Sequence, residues 1–261
     1  MSSFFKLIQN LSLDIVFGAV ILLHFFSKGV EIPIHSYFAL GITVWLIYTF
    51  DHLNDSTVAK KGGRDRYIFH KKYKSILKFL MIGLGSSLLY FVAMLPISII
   101  GWGSLLSIFC LLYVLLQKRI SLLGLKEAYV AVVYSLGILI VPFVTRGVFD
   151  IYSFTSLSVI AFLNLCLFSW FEEKEDLDDG FSSIATRLGY NRVEKLLILI
   201  IGLGLAFATS VFEPGHQTFY FISVFMIYSF LVLKREWVHS HERYRWIGDG
   251  VFIFPLVFDL F

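Results

Sequence analysis

The polar residues of this chain are gathered into short breaks between apolar runs of about twenty residues. Nine runs are predicted as helices, at 11–30, 34–54, 76–95, 97–117, 127–146, 152–172, 193–212, 217–234 and 245–261. A bilayer core of roughly 30 Å takes about 20 apolar residues per helix, so each run has about the length of one crossing. The expected fold is an all-α polytopic membrane protein, a bundle of about nine transmembrane helices forming a single domain over 1–261. The first run follows one basic residue, Lys6, and has no small-residue cleavage site after it. It therefore reads as a retained helix rather than a signal peptide, with the chain mature from residue 1.

Composition strengthens this picture. Of 261 residues, 57% are hydrophobic and 16% charged, where a soluble domain carries roughly 25% charged residues. The 28 Phe, 13 Tyr and 5 Trp are spread over the whole length, so the apolar excess belongs to the entire chain. A soluble enzyme is excluded on these grounds. The net charge of +3 is too slight to argue for nucleic acid. Cys110 and Cys166 lie inside apolar runs, which argues against a disulfide framework or a thiolate metal site and for small buried side chains.

Charge placement is more informative than charge content. With nine alternating crossings, one face receives the N-terminal segment and the second, fourth, sixth and eighth loops. That face holds all the Lys and Arg except Lys28 and Arg146, which lie opposite, and Lys78, inside the start of a span. By the positive-inside rule it is cytoplasmic, with the N-terminus inside and the C-terminus outside. The expected location is a bacterial inner (plasma) membrane, with the active site at the cytoplasmic face.

The acids gather at the same face in two clusters. Asp51-His-Leu-Asn-Asp55 closes the second run, and Glu172-Glu-Lys-Glu-Asp176-Leu-Asp-Asp-Gly180 closes the sixth. On a continuing helix Asp51 and Asp55 are i,i+4 neighbours, as are Glu172 and Asp176, so each pair stacks two carboxylates on one face. Two readings stand side by side. Acids at a helix end near the membrane surface are commonly just solvated, as Glu173, Glu175 and Asp178 are expected to be. Alternatively, the repulsion within each pair is offset by a hard cation. Mg²⁺ suits oxygen ligands, takes one or two carboxylates and completes its shell with phosphate oxygens and water. Two such pairs on facing helices, with Lys and Arg in the adjoining loops, form a plausible cradle for a diphosphate. Asp14 and Asp249, near the starts of the first and last runs, are either functional intramembrane acids or helix N-caps.

The run Gly180-Phe-Ser-Ser183-Ile-Ala-Thr-Arg187-Leu-Gly189, preceded by Asp176 and Glu172, resembles the second acidic motif and following loop of the UbiA superfamily of intramembrane prenyltransferases. Asp51-His-Leu-Asn-Asp55 resembles the D-x-x-x-D end of that family's first motif. The two segments close the second and sixth runs, where the family carries them, and the family bundle has nine helices. Four positions depart from the pattern. Ile47 and Tyr48 stand where the first motif has Asn or Asn-Asp, Glu172 replaces an Asp, and Gly180 occupies the place of the third acid of the second motif. These departures leave open the number of metal ions and the choice of substrate.

The resemblance implies an enzyme that moves an isoprenoid chain from a prenyl diphosphate to an aromatic, quinone-precursor or other lipophilic acceptor. It assigns Asp51, Asp55, Glu172 and Asp176 to Mg²⁺ and the diphosphate. Candidate diphosphate partners are Lys118, Arg119 and Lys126, with Arg64 and Arg66, each of which reads equally as a positive-inside surface residue. Tyr48 either donates to a phosphate oxygen or anchors the interface. Arg187 is expected to shape its loop without touching substrate. A non-catalytic isoprenoid-binding relative is the alternative, and a small-solute or ion transporter a third class. Against a transporter, the acids gather at one face rather than at the midplane.

Overall fold

The computed structural model describes residues 3–59, 64–122, 124–211, 213 and 215–259; the side chains of 3, 4, 117–119, 121, 122, 241 and 259 lie outside that description. Among the described residues the chain is helical, without a strand. The elements are α1 (Ser3–Asn10), α2 (Leu13–Phe26), α3 (Ile34–Val58), α4 (Asp65–Lys72), α5 (Lys74–Ala93), α6 (Ile97–Leu122) and α7 (Lys126–Arg146). They continue with α8 (Ile151–Phe171), α9 (Glu173–Asp179), α10 (Ile184–Leu188), α11 (Tyr190–Val211), α12 (His216–Leu233), α13 (Arg235–His239) and α14 (Arg243–Gly250). Two 3₁₀ turns, Ser240–Glu242 and Phe254–Asp259, complete the set.

Among the described residues, six helices are long and apolar enough to cross a membrane: α5, α6, α7, α8, α11 and α12. Three expected runs differ. The first is interrupted at Ser12, which takes a left-handed φ of 55°, and its apolar helix α2 has only 14 residues, about 21 Å at 1.5 Å per residue. The second is realised as α3, 25 residues long, whose polar C-terminal turns keep it outside the apolar six. The ninth, 245–261, is not one helix. It breaks after Gly250 and resumes as the 3₁₀ turn carrying Pro255, in keeping with the poor helix propensity of Gly248, Gly250 and Pro255. The segment still runs the length of the bundle, from Tyr244 beside Glu172 to Phe258 beside His216. The expected long polar loop after Asp55 contains α4.

α8 is the hub, packing on α7, α11, α10 and α14. Leu157, Ile160, Leu163, Cys166, Leu167 and Trp170 along it are almost fully buried. Its start is set by Asp150, whose carboxylate accepts from the backbone N–H groups of Tyr152 and Ser153, an N-cap that satisfies two otherwise orphaned donors. By contrast α5 and α6 present Phe79, Ile82, Leu89, Ile97, Trp102 and Ile108 outward. In a bilayer such faces meet acyl chains at no cost, so helix association rests on close fit rather than on apolar burial.

Close fit is sharpest where α11 meets α12. Gly204 faces the Phe225 ring so closely that a Cβ there would overlap it. Gly204→Ala is expected to lower stability by about 1–3 kcal/mol through overpacking, read as a lower melting temperature in detergent, whereas Gly202→Ala, which meets open space, should leave it unchanged.

Candidate functional site

One cavity of about 1740 Å³ opens at the end of the bundle where α3, the α8–α9 junction and α9 carry their acids. Asp51, Asp55, Glu172 and Asp176 all line it, together with Tyr48, Arg64, Arg66 and Lys126. Lys118 and Arg119 belong to α6, but their side chains fall outside the described residues. Every other residue singled out above for metal or diphosphate contact therefore faces the same space.

Local structure explains the convergence. α3 runs helically through Asp51 and Asp55, which places both carboxylates one turn apart. α8 ends at Phe171, and Glu172 is the junction residue before α9. The Asp176 N–H nevertheless donates to the Glu172 carbonyl at 2.8 Å, so the pair keeps helical spacing across the junction. α9 stops at Gly180, whose φ of 81° suits glycine. The chain then enters α10 through a capping box built by Ser183 and Thr186. Two buried side chains fix this turn from outside: Glu127 accepts from the Ile184 N–H at 2.7 Å, and Ser169 accepts from the Ala185 N–H at 2.9 Å. Arg187 reaches back over Gly124, beside the start of α7 and away from the acid pairs. Glu127 and Ser169 escaped the sequence reading because their partners are main-chain groups 57 and 16 residues away.

The second acid pair is not free. Arg64 Nη1 donates to Glu172 Oε2 at 2.9 Å, Arg64 Nη2 donates to Asp176 Oδ1 at 2.7 Å, and its Nε stands 3.6 Å from Asp179 Oδ2. The other Glu172 oxygen takes Arg245 Nη2 at 2.7 Å and the Tyr244 hydroxyl at 3.3 Å. The repulsion within this pair is thus offset in the structure by the guanidinium cations of Arg64 and Arg245. Arg64, expected as a diphosphate partner, bridges these acids in the structure. Asp179 proves buried, while Glu175 and Asp178 are exposed at the cavity mouth. Burial pushes the Asp176 carboxyl above its ordinary range against the pull of Arg64.

The first pair is differently placed. Among the described residues no hydrogen bond or ion pair at contact distance forms to the carboxylate of Asp51 or Asp55. Burial, and next the neighbouring Asp51 charge, pushes Asp55 up to about 6, against the opposing charges of Lys126, Arg66 and Arg64. Arg66 lies over the Tyr67 ring, 5.6 Å from its centroid, with its buried Nε unpartnered among the described residues.

The charge balance of the cavity is its most telling property. Among the described lining residues twelve are Asp or Glu and five are Lys or Arg, in a chain whose net charge is +3. Such a concentration of one sign in a recess attracts counter-ions. Among the described residues no three His, Cys, Asp or Glu stand ready around a common point for a metal ion. The donor set nonetheless fits Mg²⁺, which needs only one or two protein carboxylates when phosphate oxygens and water complete its shell.

Deeper in the same cavity lie Tyr48, Tyr134, Asn164, Asp14 and Asp249. Asp249 stands in the last turn of α14, so it is no N-cap; Asn164 Nδ2 donates to its Oδ1 at 3.2 Å. Asp14, in the first turn of α2, accepts from the Ile15 N–H at 3.0 Å.

Arg64 and its two acids have side chains only 11–14% exposed. Arg64→Ala should therefore destabilise the protein by about 3 kcal/mol, the scale for stripping one partner from a buried ion pair. Adding Asp176→Asn should recover part of that loss in a double-mutant cycle followed by thermal melting. No family model, curated protein or solved structure matches this chain.

Proposed function

We propose that the chain is an intramembrane prenyltransferase of the UbiA kind, transferring an isoprenoid chain from a prenyl diphosphate to a lipophilic, aromatic acceptor. The observation that carries this reading is the acid-rich cavity: both four-residue-spaced acid pairs border it, with Arg64, Arg66 and Lys126 among them. A diphosphate cannot approach twelve acids alone, but it can as a complex with divalent cations, which the acids attract. Mg²⁺ there would supply electrostatic stabilisation of the leaving diphosphate. Asp51, Asp55 and Asp176 are the residues that would hold it, and Glu172 would join them on release from its guanidinium partners.

The chain's own groups do the rest. Lys126 and Arg66 face Asp55 across the cavity and are available to bind diphosphate oxygens. Tyr48, Tyr113, Tyr134, Phe168 and Phe252 line the deeper wall, which excludes water and offers electron-rich faces to an allylic cation. Apolar side chains of α3, α5 and α6, among them Leu40, Leu46, Met81, Leu106 and Leu115, continue the lining and suit an isoprenoid tail. In this reading the three runs outside the apolar six also cross the membrane, giving nine crossings with the N-terminus and the cavity mouth at the cytoplasmic face of a bacterial inner membrane.

A second reading is a non-catalytic isoprenoid-binding protein. It is favoured by the engagement of both Glu172 oxygens by Arg64, Arg245 and Tyr244.

Purified protein incubated with Mg²⁺, labelled prenyl diphosphates of several lengths and a membrane-lipid extract should yield a prenylated product. Asp51→Asn and Asp176→Asn should each lower its formation by about 100-fold or more while the protein remains folded. Full activity in both variants contradicts the assigned roles, and absence of product with every donor favours the binding protein.

A further inference from the structure

The prenyl transfer proposed above leaves one proton without a destination. When an allylic cation adds to an aromatic ring, the donor's C1–O bond breaks with its electron pair leaving on the diphosphate, and a C1–ring carbon bond forms. The ring must then lose a proton to restore aromaticity. The acids at the cavity mouth are committed elsewhere in that reading, to the metal and to Arg64. A second acidic position lies deeper, away from the diphosphate.

Asn164 and Phe168 of α8 line the cavity, as does Glu172 at the junction after α8. Glu172 follows Asn164 by eight positions, about 12 Å along the axis at 1.5 Å per residue. Asn164 is only 6% exposed, and its Oδ1 has no hydrogen-bond partner among the described residues. Its Nδ2 fixes the Asp249 carboxylate at 3.2 Å. Gly248 makes this contact possible, because a Cβ there would come within 2.8 Å of Asn164 Oδ1 and 2.7 Å of the Phe168 ring. Asp249 is partly exposed, and it borders the cavity beside Tyr48, Tyr134 and Phe252. Asp14 borders it too, and the two carboxylates interact electrostatically. Arg245 and Arg66 are the cations that act on both.

A carboxylate at this depth is costly unless it serves a function. It makes no contact-distance ion pair among the described residues, in contrast to Glu172 and Asp176 on the same cavity. Its neighbours on the cavity wall, Tyr48, Tyr134 and Phe252, are aromatic and suit an acceptor ring.

We infer that Asp249, oriented by Asn164, is the base that takes the proton from the prenylated acceptor ring. The proton moves from the ring carbon to an Asp249 carboxylate oxygen as the new carbon–carbon bond is completed. Asn164 is a positioning residue: its Nδ2 donates to one Asp249 carboxylate oxygen and leaves the other to take the proton.

This inference rests on the prenyltransferase reading, and two measurements separate them. The first is release of inorganic diphosphate from farnesyl diphosphate with Mg²⁺ and no acceptor, which reports ionisation alone. The second is formation of labelled product when the membrane-lipid extract is added. Asp249→Asn, which keeps shape and removes basicity, is expected to lower product formation at least about 100-fold, the lower end of general-base contributions, while diphosphate release stays within about threefold of wild type. Asp249→Glu should restore a tenth or more of the product. Asn164→Leu should weaken product formation and shift its pH profile, which a purely structural role would not do. Product formation by Asp249→Asn near the wild-type rate overturns the inference and leaves the prenyltransferase reading standing. Loss of both measurements in a folded Asp249→Asn protein also overturns it, since the residue then serves ionisation or structure. A wild-type protein that neither releases diphosphate nor forms product overturns the transferase reading and this inference with it.

Discussion

Everything at the charged end of this molecule depends on Glu172 lying between two arginines. Arg64 arrives from the segment after α3, Arg245 from α14, and Glu172 sits where α8 turns into α9. The three together cross-link the chain at positions 64, 172 and 245. Each charge is mostly withdrawn from water, so none is tolerable without the others. Tyr244, stacked 4.4 Å from the Phe171 ring and bonded to Glu172, adds an aromatic brace beside the pair. The cavity mouth is held in shape by this chain of charges, and the apolar helices below are free to serve the bilayer.

That arrangement divides the acids by state. Asp176 and Glu172 are paired with guanidinium groups, whereas Asp51 and Asp55 line the cavity without such partners among the described residues. A divalent cation entering the cavity therefore meets the first pair at once and must compete with Arg64 for the second. A guanidinium released from Glu172 or Asp176 would be well placed for a diphosphate oxygen, because planar paired donors suit carboxylate and phosphate alike. Under the proposed function, the pairing of Arg64 with the acids and its contact with a diphosphate would be two positions of one side chain.

What was legible in the sequence was whatever depends on local pattern. The runs that became α5, α6, α7, α8, α11 and α12 are apolar over a full crossing, and no tertiary contact was needed to find them. The pairs Asp51/Asp55 and Glu172/Asp176 were visible as four-residue spacings, and they share the cavity. What was hidden depends on contacts between distant residues. Arg64 meets acids 108 and 112 positions away, and nothing in its neighbourhood announces them. The interruption of the first run at Ser12 is a backbone event that apolar composition does not register, and glycines in the ninth run break a pattern that hydropathy alone treats as continuous. Asn164 did leave a signal: an amide in the middle of an apolar run needs a reason, and its partner Asp249 supplies one.

The account stands on the claim that the acid-rich cavity holds a diphosphate through a divalent cation. Calorimetric titration of farnesyl thiodiphosphate, a donor analogue that ionises slowly, into the purified protein with and without Mg²⁺ tests it directly. The account predicts that Mg²⁺ tightens binding of the analogue at least about tenfold, or roughly 1.4 kcal/mol, and that the analogue tightens binding of Mg²⁺ by the same factor. Equal affinity for the analogue in Mg²⁺ and in chelator would contradict it.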